Sequence, residues 1–276
     1  MAQFDDATSK NPALLRATAQ YDPKQYAAMQ QEATRRGLPA PVLPAPVTED
    51  ALTLTDVVMK TSLSLIVLIG AAVVGWNLLT NSWALVILCL FVAFGLGIAN
   101  SVMRKVNPLL VLLYSVFEGL FLGAISATFQ HYYGASSPNS SLGIVGNAVL
   151  ATMVTFAITL GLYASGIVRA TPRFRRMILI AMLSYVVFAG ISLISALFGV
   201  GGGWGFYGLG TLGIILCLAG VALAAMSLVL DFAAIQQAIT YGVPERESWR
   251  FAYGLTVTLV WLYLELLRLF AILQGR

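Results

Sequence analysis

The stretch YGLGTLGIILCLAGVALAAMSLVLD (207–231) runs for twenty-four residues without a charge before it meets Asp231. A helix at the surface of a soluble domain needs an apolar stripe, not an apolar circumference, whereas about 20 consecutive apolar residues carry a helix across a ~30 Å hydrocarbon core. The same reading repeats outward from this stretch, at 57–79, 83–103, 109–130, 143–166, 177–198 and 251–273. A helix is the expected form, because it satisfies its own backbone hydrogen bonds inside lipid. The breaks are short and carry turn chemistry: Thr80–Ser82, Asn107-Pro108, the Ser/Pro/Asn run 135–141, Thr171-Pro172, the glycines 199–203 and Gly242–Pro244. The chain therefore reads as an all-α integral membrane protein of seven transmembrane helices, with the lipid bilayer as its first partner.

Composition agrees. Of 276 residues, 59% are hydrophobic and 10% charged, with a mean hydropathy of +0.84; this excludes a soluble enzyme and a disordered chain alike. Cys89 and Cys217 both fall inside apolar blocks, so no disulfide framework is implied. The single histidine, His131, is too little for an imidazole metal cluster and reads as a loop residue outside the membrane. No G-x-x-x-x-G-K-[ST], H-E-x-x-H or G-x-S-x-G occurs. Neither an enzymatic activity nor a cofactor is expected.

Residues 1–56 form a separate polar region with a net charge of −2, leaving +6 for the seven-span domain of 57–276. No apolar h-region follows Met1, so no cleavable signal peptide is expected. Within the tail, 13–36 has the pattern of a short amphipathic helix and PAPVLPAP (39–46) that of an extended linker. The composition as a whole is that of a largely disordered cytoplasmic tail.

The basic residues set the orientation. Connections after the second, fourth and sixth spans hold Arg104, Lys105, Arg169, Arg173, Arg175, Arg176, Arg246 and Arg250, and those after the first, third and fifth hold none. This asymmetry predicts a cytoplasmic N-terminus and an external C-terminus, with Arg268 a mild exception. The positive charge is thus a topology signal with anionic lipid as neighbour, and nucleic acid is not expected as a partner. Trp76, Trp83, Trp204 and Trp249 fall near span ends, as an interfacial aromatic belt requires.

Three acids lie within predicted spans: Glu118, Asp231 and Glu265. An ionised Asp at a helix centre costs about 3 kcal/mol on insertion scales, so such residues face a cavity or a partner and mark function. Helix rise puts Glu118 about 15 Å and Asp231 about 13 Å from the basic face, close enough in level to share a site. Glu265 lies about 21 Å past Phe251, nearer the other face, and Arg268 follows at the spacing of an intrahelical pair. Two facing carboxylates in a low dielectric cannot both ionise cheaply and titrate as a unit. A proton or a divalent cation relieves the repulsion, and calcium prefers clustered oxygens, so Asp231 and Glu118 are the candidate calcium ligands. Gly119 and Gly123 form a G-x-x-x-G that suits close helix packing.

The segments NPLLVLLYSVFEGLFLGAIS (107–126), ATPRFRRM (170–177), LVLDFAAIQQA (228–238) and LTVTLVWLYLELLRLFAIL (255–273) together resemble the bacterial, YccA-like branch of the Bax inhibitor-1 family over about residues 55–273. The tail 1–50 lies outside that resemblance. It implies six helices around a central seventh, a calcium leak that responds to pH, and a bacterial inner membrane. It also implies a role for Asp231, which matches a sixth-helix aspartate that relatives often pair with a seventh-helix aspartate. Aligning LLRLF (266–270) puts Thr258 at that second position. Thr258 cannot ionise, but its hydroxyl can hydrogen-bond at a depth of about 10 Å, near the level of Asp231. The sequence reading assigns the missing acid to Glu118. Two functions follow: a pH-sensitive cation leak past Asp231, or a non-conducting regulator whose tail and loops bind a membrane protease or other quality-control partner.

Overall fold

The computed structural model describes Arg35 and residues 51–79, 82–103, 105–133, 143–168, 170–203, 205–208 and 210–274. The expected helix over 13–36 and linker over 39–46 lie outside the described residues, apart from Arg35, which is helical.

Among the described residues, seven helices are long and apolar enough to cross a membrane: α1 Leu54–Leu78, α2 Trp83–Val102, α3 Pro108–Tyr133, α4 Gly143–Ala164, α5 Pro172–Leu197, α6 Thr211–Thr240 and α7 Ser248–Gln274. Their starts follow from local chemistry. Thr53 and Asp56 form a capping box, the Thr53 Oγ1 accepting from Asp56 N at 3.2 Å and the Asp56 Oδ2 from Thr53 N at 2.9 Å. Asn107 Oδ1 accepts from Leu109 N at 3.0 Å ahead of α3. Thr171 Oγ1 accepts from Phe174 N at 3.2 Å, with Pro172 in the first turn of α5. At the end of α6, Val243 N donates to Ala238 O and Gly242 N to Ile239 O, both at 3.1 Å, with Gly242 at φ +61°. This Schellman closure satisfies carbonyls that the membrane face would otherwise strand.

Three boundaries differ most from the sequence reading, the start of α5 and both ends of α6. Helix α5 begins at Pro172, so Arg173, Arg175 and Arg176 belong to its first turns, where their long stems can lie along the helix while the guanidinium groups reach the interface. Helix α6 runs nine residues past Asp231, because that carboxylate is hydrogen-bonded inside the bundle. Its start moves in the other direction: Gly205–Gly208 forms a 3₁₀ turn ahead of α6. His131, expected in a loop, lies in the last turn of α3 and packs edge-on to Tyr132.

Helix α7 is the most buried span and α5 the least. It packs along α1, α3, α4 and α6. Its side chains reach the remaining two, through Tyr253 to α2 and Glu265 to α5. Six helices thus contact a central seventh. Leu228, Leu255, Leu259, Leu262, Leu266 and Leu267 fill the core around it. Outward faces carry large exposed apolar side chains, such as Phe91, Phe94, Leu183 and Leu193, which is the arrangement a hydrocarbon solvent favours. Several buried hydroxyls bond back into their own helices, Ser64 to Lys60 O, Ser115 to Val111 O and Thr256 to Ala252 O, so these three strand no donor in the membrane interior.

The basic end of the bundle is tied together. Leu52 N donates to Val243 O at 2.8 Å, and Ala51 forms an antiparallel bridge with Pro244. Lys60 Nζ donates to Glu245 Oε1 at 2.7 Å and Ser248 Oγ at 2.6 Å and lies 5.8 Å from the Trp249 ring centroid. The chain entering α1 is therefore pinned to the α6–α7 turn. Lys60→Met is expected to lower stability by about 1–2 kcal/mol, given the partial exposure of Glu245. Denaturation of the detergent-solubilised protein measures the loss, and amide exchange should localise the loosening to residues 243–248.

Candidate functional site

The seam between α6 and α7 carries the polar chemistry of the membrane interior. Thr258 and Glu265 are seven residues apart on α7, and Gly220 and Asp231 eleven apart on α6. Both intervals return to nearly the same helix face, so each helix turns two of these positions toward the other. The first contact is Thr258 Oγ1 to Asp231 Oδ2 at 2.7 Å. Thr258 Oγ1 also lies 3.1 Å from Gly254 O. One hydroxyl proton cannot serve both acceptors fully. An ionised Asp231 takes the proton from the Gly254 carbonyl, and a protonated Asp231 donates to Thr258 and returns it. The protonation state of Asp231 is thereby coupled to the α7 backbone one turn below.

The second contact lies about 10 Å further along α7. Glu265 is 3% exposed. Its carboxylate accepts from Tyr185 Oη at 2.7 Å, Trp261 Nε1 at 3.3 Å and Arg268 Nη1 at 3.2 Å. Tyr207 Oη donates to Tyr185 Oη at 2.8 Å, and the Arg268 guanidinium stacks over the Tyr207 ring at 4.3 Å. This satisfied network joins α5, the turn before α6, and α7. Gly220 makes room for it: a Cβ there would come within 2.8 Å of the Glu265 carboxyl and 2.6 Å of Tyr185 Oη. Gly205, at φ +60° and packed against the Ser192 carbonyl, lets the chain turn back so that Tyr207 reaches Arg268.

Glu118 stands apart from both contacts. It lies beside Tyr114 and Tyr253, whose rings meet edge to face with centroids 5.1 Å apart, and Tyr253 Oη donates to Gly97 O at 2.9 Å. The structure brings Asp231 and Thr258 together, and Glu265 and Arg268, but forms no hydrogen bond between Glu118 and Asp231. Among the described residues no group of three or more His, Cys, Asp or Glu side chains is gathered for a metal ion. Gly119 and Gly123 lie where α3 crosses α1, against the Leu68 and Ala72 carbonyls, and Gly75 of α1 meets the Leu120 carbonyl in return.

Sequence reasoning missed Lys60, Tyr185, Tyr207, Trp261 and Gly220. The available signal was polar: a lysine inside an apolar run, and tyrosine and tryptophan donors that need partners once buried. What it could not supply was the partner across the bundle.

The model of the family described as Bax inhibitor 1 like matches residues 11–275. The match begins well inside the polar tail, and so extends beyond the 55–273 region over which the sequence segments carry the resemblance. No curated protein matches the chain.

Proposed function

Since the chain belongs to the Bax inhibitor 1-like family, we propose that it is a pH-sensitive leak for cations, calcium above all, of the YccA-like bacterial branch. In this reading it catalyses no reaction and carries no cofactor; calcium is cargo. It sits in a bacterial inner membrane with its N-terminus in the cytoplasm and its C-terminus outside. The observation that carries the proposal is the Asp231–Thr258 hydrogen bond. An ionisable group inside a span, held among the described residues by one neutral hydroxyl and no cation, is where a passing cation or proton finds a counter-charge. Proton uptake by Asp231 exchanges the Thr258 hydrogen bond between side chain and backbone, and this exchange shifts the closed–open balance. Glu118, beside Tyr114 and Tyr253, is a second and separate carboxylate along the path.

The test is calcium entry into dye-loaded proteoliposomes across pH 5–8. Wild type should conduct with a pH-dependent rate, and Asp231→Asn should flatten that dependence. Glu118→Gln should change the rate and leave its pH profile in place. Thr258→Asp sets two carboxyls at hydrogen-bonding distance, so its profile should resolve into two steps. No flux above empty liposomes, with folded and inserted protein, overturns the leak.

A second reading rests on the tail. Ala51 and Leu52, which follow the tail in sequence, are fixed to the turn that joins α6, the helix of Asp231, to α7. We propose as the alternative a non-conducting regulator whose tail engages a membrane protease. Deleting residues 1–50 should then abolish the effect on that protease, whereas Asp231→Asn should be silent.

A further inference from the structure

A cavity of about 590 Å³ opens between α3, α5 and α7 on the side of the bundle away from the basic end. Its size is that of a small-molecule site, roughly 300–1,000 Å³. Its lining is sorted along the membrane normal. Phe121, Met182 and Leu264 line the part nearer mid-membrane, and Arg268 and Tyr207 lie toward the bundle end. Met182 and Ala196 on α5 both line it, a span of about 21 Å by helix rise, enough for the ~15 Å half-thickness of a hydrocarbon core and its headgroup boundary. Helix α5, the least buried of the seven, forms one wall, so the cavity gives onto lipid rather than water.

The charge it offers is positive. Glu265 already receives three donors and its side chain is 4% exposed, whereas that of Arg268 is 27% exposed. Arg268 uses Nη1 on Glu265 and lies against the Tyr207 ring and the Cys217 thiol. Its other N–H groups have no carboxylate or carbonyl partner among the described residues. A guanidinium with donors to spare at the polar end of an apolar slot suits a phosphate diester carrying an acyl chain.

We propose that this cavity binds one anionic phospholipid, its phosphate on Arg268 and one acyl chain running toward Phe121 and Met182. The site is independent of the Asp231 leak, and its test does not depend on flux. Native mass spectrometry of the full chain released from detergent micelles counts retained lipid. The additions are dioleoyl phosphatidylglycerol, dioleoyl phosphatidylcholine, or inorganic phosphate together with phosphatidylglycerol. Wild type should hold one phosphatidylglycerol about tenfold more tightly than phosphatidylcholine, the effect of a charge-assisted hydrogen bond. Arg268→Gln should remove that preference. Ala189→Trp, which puts an indole into the slot and leaves both Glu265 and Arg268 in the chain, should lower the bound count by one lipid and keeps the test decisive if Arg268→Gln does not fold. Equal retention of the two lipids by wild type overturns the proposal, as does folded Ala189→Trp that retains phosphatidylglycerol like wild type. Displacement by millimolar inorganic phosphate alone would make the ligand a free anion and also overturn it.

Discussion

Replacing Glu265 with alanine is expected to lower the stability of the bundle by about 3–5 kcal/mol, the cost of removing one partner from a buried ion pair. The loss exceeds that of a surface pair because four groups are left without an acceptor or an orienting contact. Arg268, Tyr185 and Trp261 all donate to the one carboxylate, and Tyr207 reaches it through Tyr185. Unfolding of the solubilised protein in a denaturing detergent series measures the effect. Glu265→Gln keeps one acceptor oxygen and should lose less. The double variant Glu265→Leu, Arg268→Leu should recover most of the loss of Glu265→Ala, because an apolar pair leaves no buried charge unmatched. A double variant as unstable as the sum of its singles would mean that the cluster acts by packing alone.

Gly123→Val is expected to lower stability by about 3 kcal/mol or more, since the new side chain has nowhere to go. A Cβ at Gly123 would overlap the Ala72 carbonyl, and one at Gly119 the Leu68 carbonyl. These obstacles are backbone, so relief requires α1 and α3 to separate along their whole contact. Gly190 supplies the control: on the exposed face of α5, a Cβ there meets nothing within 4 Å. Gly190→Ala should fall within about 1 kcal/mol of wild type, on the stabilising side, because it only reduces backbone freedom in a helix. Thermal unfolding of the two variants beside wild type tests the contrast.

What the sequence disclosed and what it withheld divide along a physical line. Span number and position were legible because hydrocarbon demands long apolar runs, and each run is a local property. The level shared by Asp231 and Thr258 was legible for the same reason, since helix rise converts residue number to depth. Rotation about each helix axis was not. Depth alone gave Glu118 as good a claim on Asp231 as Thr258 had, yet Glu118 sits among Tyr114 and Tyr253. The apolar run of α6 stops at Asp231, but the helix continues to Thr240 with that carboxylate hydrogen-bonded to Thr258, so apolar length alone understates the helix. Lys60 was passed over as one polar residue in an apolar run, although its partners Glu245 and Ser248 lie 185 and 188 residues away.

The pinning of Ala51 and Leu52 to Val243 and Pro244 has a mechanical consequence. A pull applied to the tail does not act first on the axis of α1. It acts in shear on the Leu52–Val243 hydrogen bond and then on the Lys60 staple, both anchored on the turn that joins α6 to α7. Tension arriving from a partner in the aqueous phase is thus delivered to the hinge of the hairpin whose two arms hold Asp231 and Thr258 in register.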